Sequence, residues 1–169
     1  MTTPCTVELC ALFTSPGHDF KGHHGGPRGH HPIVDAEAIE CVAGKGIRGD
    51  RYFDSEKYRD GQITFFDWAV FEALRQRFGR PDLDPAALRR NVIVRGADLN
   101  ALAGRKFELQ GLEFQGTEEC SPCYWMDQAV APGAEDFLRG RGGLRARILS
   151  SGTLRRGNTK LVLRVTSVD

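Results

Sequence analysis

Lys106-Phe107-Glu108-Leu109-Gln110-Gly111-Leu112-Glu113-Phe114 alternates apolar and polar residues on both sides of a Gln-Gly pair. A period of two flanking a two-residue, glycine-containing turn predicts an antiparallel β-hairpin. Phe107 and Leu109 face the core from one strand, Leu112 and Phe114 from the other. Strands joined so tightly leave no room for a crossover helix between them. The hairpin therefore argues for a barrel rather than a doubly wound parallel sheet.

The flanking sequence supports that choice. Cys5 to Phe13 alternates early and reads as a strand, as do Ile33 to Val42, Asn91 to Val94, Arg145 to Leu149 and Lys160 to Val168. The last strand follows a turn-like Gly157-Asn158. Residues 15–32 read as a loop rich in Gly, Pro and His. One clear helix has Trp68, Phe71, Leu74 and Phe78 on one face, with Asp67 as N-cap, Gly79 as stop and Pro81 beyond. A second short helix starts at Asp84-Pro85, and another covers Glu135 to Arg139. The expected fold class is mainly β, a closed barrel with a few helical insertions.

The chain of 169 residues suits one domain, 1–169, with a substantial core. Lys+Arg 23 against Asp+Glu 22 gives a net charge of +1, which argues against nucleic-acid or membrane partners bound through bulk positive charge. No apolar run approaches the ~20 residues of a membrane span. The N-terminus lacks a secretory pattern, so a cytoplasmic location is expected. Within this neutral total, 18 of the basic residues are Arg and only 5 are Lys. Six of them, Arg139, Arg141, Arg145, Arg147, Arg155 and Arg156, fall in a stretch without an acid. Arg145 and Arg147 share a strand face, and the uncompensated run favours a basic pocket over a solvated rim.

Five cysteines at irregular spacing do not suggest a disulfide framework. Cys5, Cys10 and Cys41 read as buried hydrophobes. Cys120-Ser121-Pro122-Cys123 differs, because thiols three apart can act as nucleophile and resolving thiol or as soft-metal ligands. A thioredoxin-like role would need a βαβ setting, which the preceding hairpin opposes. Zinc would need a second ligand pair. The histidines at 23–31 could supply one, which leaves a non-enzymatic metal-binding module on Cys120, Cys123 and this cluster as the alternative. Gly46-Ile47-Arg48-Gly49-Asp50-Arg51 is a tight basic loop suited to an anion, and Arg89-Arg90-Asn91 lies at a helix-to-strand junction.

In order, these segments resemble the MOSC family, the C-terminal domain of molybdenum cofactor sulfurases, over about Val34 to Leu163. The resemblance rests on Gly46 to Phe53, Gln62-Ile63-Thr64, Arg90-Asn91 with Gly96 and Leu99, Gly104 to Gly116, Pro122-Cys123, and Gly143 to Ile148. It implies a pyruvate-kinase-type β-barrel and a role in binding molybdenum cofactor or carrying sulfur as a persulfide. Cys123 matches the cysteine proposed to carry the persulfide or ligate molybdenum, with Cys120 secondary. Gly49, Asp50, Arg51, Arg90, Asn91, Arg145 and Arg147 are the implied cofactor-binding residues. Some relatives reduce N-hydroxylated compounds, which would require an electron-transfer partner. A sulfur carrier would instead need a cysteine desulfurase. Pyridoxal phosphate would then belong to that partner and not to this chain. Two positions depart from the family pattern, Tyr52 where a His is frequent and Gly157-Asn158 in place of Gly-Asp.

Overall fold

Eleven strands and three short α-helices follow one another in the computed structural model, which describes residues 3–20 and 27–165. Strand β1 spans Cys5–Thr14, β2 Val34–Ala36, β3 Ala38–Val42, β4 Gly46–Ile47 and β5 Ile63–Asp67. Helix α1 (Trp68–Arg77) and a 3-10 turn (Pro85–Leu88) lead to β6 (Val92–Arg95). The hairpin is β7 (Lys106–Leu109) and β8 (Leu112–Glu119). Helices α2 (Trp125–Ala129) and α3 (Ala134–Leu138) precede β9 (Leu144–Ile148), β10 (Gly152–Arg155) and β11 (Gly157–Leu163).

The hairpin forms in the expected register, with Phe107 opposite Phe114 and Leu109 opposite Leu112. Gln110 and Gly111 both have positive φ, 51° and 80°, the turn whose twist matches paired strands. Around the ring the order runs β11, β7, β8, β9, β5, β6, β1, and β11 pairs again with β1, closing a seven-stranded barrel. Only β5 and β6 pair in parallel among the described strands, and α1 makes the crossover between them. Strand β2 hangs on the outer part of β1, while β10, β3 and β4 form a separate small sheet.

Two apolar clusters follow from this arrangement. Val7, Leu9, Leu12, Phe65, Val92, Phe107, Phe114 and Ile148 belong to the barrel core. Ala11, Phe13, Phe66 and Ile93, on the opposite faces of β1, β5 and β6, pack with Phe71 and Leu74 of α1 and Leu138 of α3. These three strands are therefore buried on both sides, which explains their unbroken apolar runs. Helix α1 begins where expected, with Asp67 Oδ1 accepting from the Ala69 N–H at 2.8 Å.

Some boundaries differ from the sequence expectation. The segment Ile33 to Val42 divides at Glu37, because Val34 and Asp35 are exposed on β2 while Ile39 and Cys41 are buried on β3. Gly157-Asn158 already lies in β11, opposite Leu9 and Glu8. The part of the last expected strand beyond residue 165 lies outside the described residues. Asp84-Pro85 starts a 3-10 turn and not an α-helix. No described helix is long and apolar enough to cross a membrane.

Candidate functional site

Strands β1 and β8 end, and β6 and β9 begin, around one cleft of about 230 Å³. Each wall carries residues singled out in the sequence. Cys120 leaves β8, Cys123 precedes α2, Arg89 and Arg90 precede β6, Arg145 lies in β9, and Arg51 comes from the glycine-rich loop. Tyr52, Tyr58 and His18 add an aromatic wall. The His18 ring lies 5.4 Å from Tyr52 and 5.3 Å from Tyr58, and the two tyrosines are 4.7 Å apart. Tyr52, Tyr58 and Arg145 also border an adjoining cavity of about 370 Å³.

The four cleft arginines differ in how their charge is met. Arg51 pairs with Asp50 at 3.3 Å, stacks over Tyr52 at 4.4 Å and donates to the Arg89 carbonyl at 2.8 Å. Arg89 pairs with Asp19 at 2.8 Å and donates to Ser15 Oγ and the Gly17 carbonyl. Burial, and then the neighbouring Arg51 charge, push its guanidinium below the ordinary value. Arg145 pairs with Glu118 at 3.0 Å and lines the cleft together with Cys120. Burial works against its charge, but the contacts with Cys120 and Glu118 prevail and raise its pKa.

Arg90 is the exception. It is buried, and its Nε, Nη1 and Nη2 donate to the carbonyls of Gly142, Leu88 and Cys120 at 3.1, 3.1 and 3.2 Å. Among the described residues no carboxylate oxygen lies within 4.0 Å of it. Neutral carbonyls orient the guanidinium without cancelling its charge, so the cleft retains a fixed positive centre. Gly142 permits this fit, because a Cβ there would sit 2.3 Å from the Cys120 carbonyl oxygen.

Other expected site residues are placed differently. Asn91 is 1% exposed, and its Oδ1 accepts from the Thr64 N–H and Oγ1 while its Nδ2 donates to the Phe13 carbonyl. Its side chain ties β5 to β1 and β6. Asp50 has its carboxylate engaged by the Ser15 N–H, the Tyr52 N–H and Arg51. Gly49, with φ 85°, sits in an exposed turn. Arg147 is exposed and paired with Asp60, outside the cleft lining.

The acid-free run 139–156 does not build a basic pocket. Arg139 meets Asp136, Arg147 meets Asp60, and Arg156 meets Asp35 and Glu37. Arg145 alone of the six lines the cleft. Most of the neutralising acids are distant in sequence and adjacent in the fold. Of the histidine cluster, His23 and His24 lie outside the described residues. The His31 N–H and Nδ1 contact Asp19 Oδ1 at 2.7 and 3.0 Å. Among the described residues no three His, Cys, Asp or Glu side chains gather as a metal site.

Sequence reading missed Asp19, His18, Tyr58 and Trp125. Asp19 carried a signal, since it is the sole acid between Glu8 and Asp35 and lies in a basic loop. Burial raises its pKa, but the His31 hydrogen bonds and then the Arg89 charge outweigh burial and hold the carboxyl below its ordinary range. Phe20, one residue on, stacks on Trp125 at 5.0 Å and so fixes this loop to α2 beside Cys123.

Comparison with known proteins fits this fold. A family model described as MOSC domain matches residues 21–159. The chain resembles the crystal structure of the YUAD protein from Bacillus subtilis, with TM-score 0.72 and 20% identity over 98% of this chain and 100% of that one. It also resembles YiiM from Escherichia coli, with TM-score 0.66 and 15% identity over 99% of this chain and 72% of that one. YiiM from Geobacillus stearothermophilus gives TM-score 0.66 and 17% identity over 96% and 77%. No curated protein matches the chain.

Proposed function

The chain belongs to the MOSC-domain family, and from that premise we propose that its cleft binds the phosphorylated pterin dithiolene of molybdenum cofactor, with Cys123 as a sulfur ligand. The observation that carries this reading is the buried Arg90 guanidinium, which has no carboxylate partner among the described residues. A fixed cation held by neutral carbonyls suits a phosphate dianion, which would supply the missing charge. The donor set also fits the metal, because the exposed Cys123 thiol lines the same cleft and thiolate sulfur is a soft ligand. Molybdenum, when bound, would supply redox and oxygen-transfer chemistry. The chain's own residues hold and orient. Arg90 meets the phosphate, Tyr52 and Tyr58 offer flat apolar surface to a ring, and Arg51 is kept in place by Asp50 and Tyr52.

A binding titration with metal-free molybdopterin tests the phosphate assignment. The phosphorylated pterin should bind at least about tenfold tighter than its dephosphorylated form, a difference of about 1.4 kcal/mol. Equal affinities would remove Arg90 from the proposal.

The exposure of Cys123 favours a second reading, sulfur carriage, since a transferring partner needs access to the thiol. Incubation with a cysteine desulfurase and free cysteine should then add one sulfur at Cys123. An increment located on Cys5 or Cys10 instead would defeat that reading.

A further inference from the structure

Cys120 and Cys123 line one cleft but in unequal settings. Cys120 is 6% exposed and anchored at the end of β8. Its N–H donates to the Gly143 carbonyl at 2.8 Å, and its own carbonyl accepts from Arg90 Nη2. Arg145 lines the same cleft. Cys123 is exposed, and the chain turns into α2 directly after it, through the Met126 N–H to Cys123 carbonyl bond of 2.9 Å. Only Ser121 and Pro122 separate the two residues, and Ser121 is exposed. One thiol is therefore open to small oxidants, while the other is fixed close by and shielded from them.

We propose that these two thiols form a reversible redox pair, in which hydrogen peroxide oxidises Cys123 and Cys120 resolves it as a disulfide. In the first step the Cys123 sulfur attacks one peroxide oxygen. The O–O bond breaks, an S–O bond forms, and water leaves, giving a sulfenic acid. In the second step the Cys120 sulfur attacks the Cys123 sulfur. The S–S bond forms, the S–O bond breaks, and hydroxide departs as water with the Cys120 thiol proton. The two sulfurs together lose two electrons and the peroxide gains two. Arg145, a cation in the same cleft lining, favours negative charge developing on the attacking sulfur. An external dithiol reverses the reaction. The disulfide would protect Cys123 from irreversible oxidation and withdraw it as a ligand. The chemistry itself is independent of any cofactor in the cleft.

Peptide mass mapping after a stoichiometric dose of hydrogen peroxide tests the pair. Both cysteines fall in one tryptic peptide, residues 107–139. In the wild type this peptide should become about 2 Da lighter and return on treatment with dithiothreitol. In Cys120→Ser, Cys123 should instead accumulate sulfinic acid at least about fivefold faster than in the wild type. In Cys123→Ser, which alters an exposed side chain, Cys120 should stay a thiol at the same dose. Equal sulfinic acid formation in the wild type and Cys120→Ser would overturn the proposal. So would oxidation of Cys120 in Cys123→Ser at the wild-type rate, or a wild-type disulfide that joins Cys5 or Cys10.

Discussion

Arg89 and Arg90 stand side by side after one 3-10 turn, yet their charges have different fates. Arg89 takes φ 54° and turns back to the loop that carries Ser15, Gly17 and Asp19. Arg90 points the other way, to the carbonyls of Leu88, Cys120 and Gly142. The pair Arg89–Asp19 is structural, and Asp19, held by the His31 hydrogen bonds and then by the Arg89 charge, sets a pH dependence. The folded Asp19 carboxyl titrates below its ordinary range, so its stabilisation is present at neutral pH. It is lost as pH falls past the ordinary carboxylate value toward the lower folded one. Asp19→Ala should therefore destabilise the protein at pH 7 by about 3 kcal/mol, since it leaves a buried guanidinium without its counter-charge. The difference from wild type should shrink as the pH approaches 3. Thermal melts across pH check this, and a gap that widens in acid would show the sign to be wrong.

At the scale of elements, the hairpin and α1 were legible because each carries its own signal: a Gln-Gly turn between alternating residues, and an Asp cap before a 3.6-residue stripe. β10 was not legible. Its Gly152-Thr153-Leu154-Arg155 offers one core residue, Leu154, and its place depends on pairing with β3. Likewise α2 has no capping side chain at Tyr124 to announce its start. The acid-free arginine run misled for the same reason, since strand pairing brings Glu118 to Arg145 while local sequence shows no acid there. Two glycines separate element-level from local requirements. At Gly143, with φ 102°, a Cβ would lie 2.2 Å from the Phe65 carbonyl oxygen, where β9 pairs with β5. Gly49 has φ 85° but open space around it. Gly143→Ala should cost about 2–4 kcal/mol, from left-handed strain plus a backbone clash. Gly49→Ala should cost about 1 kcal/mol, from strain alone. Equal losses in denaturant unfolding would mean that the backbone approach at Gly143 relaxes freely.

Across the whole molecule, closure of β11 onto β1 brings residues from positions 18 to 145 around one cleft. The cysteine and arginine positions of that cleft were legible as motifs, but their division of labour was not. Asn91 and Asp50 tie elements together, Arg147 lies outside the lining, and Arg90 keeps its charge. Such roles depend on which carbonyl or carboxylate the fold supplies, and no local pattern encodes that. The near-neutral net charge of +1 is consistent with this, because the proposed anion site needs one uncompensated guanidinium and not a basic surface. Molybdenum and pterin content, measured on protein purified from a host that makes the cofactor, addresses the central claim most directly. The wild type should carry both together, and Cys123→Ser, an exposed change, should lose molybdenum by at least about fivefold. Wild-type protein without molybdenum or pterin, or unchanged molybdenum in Cys123→Ser, would contradict it.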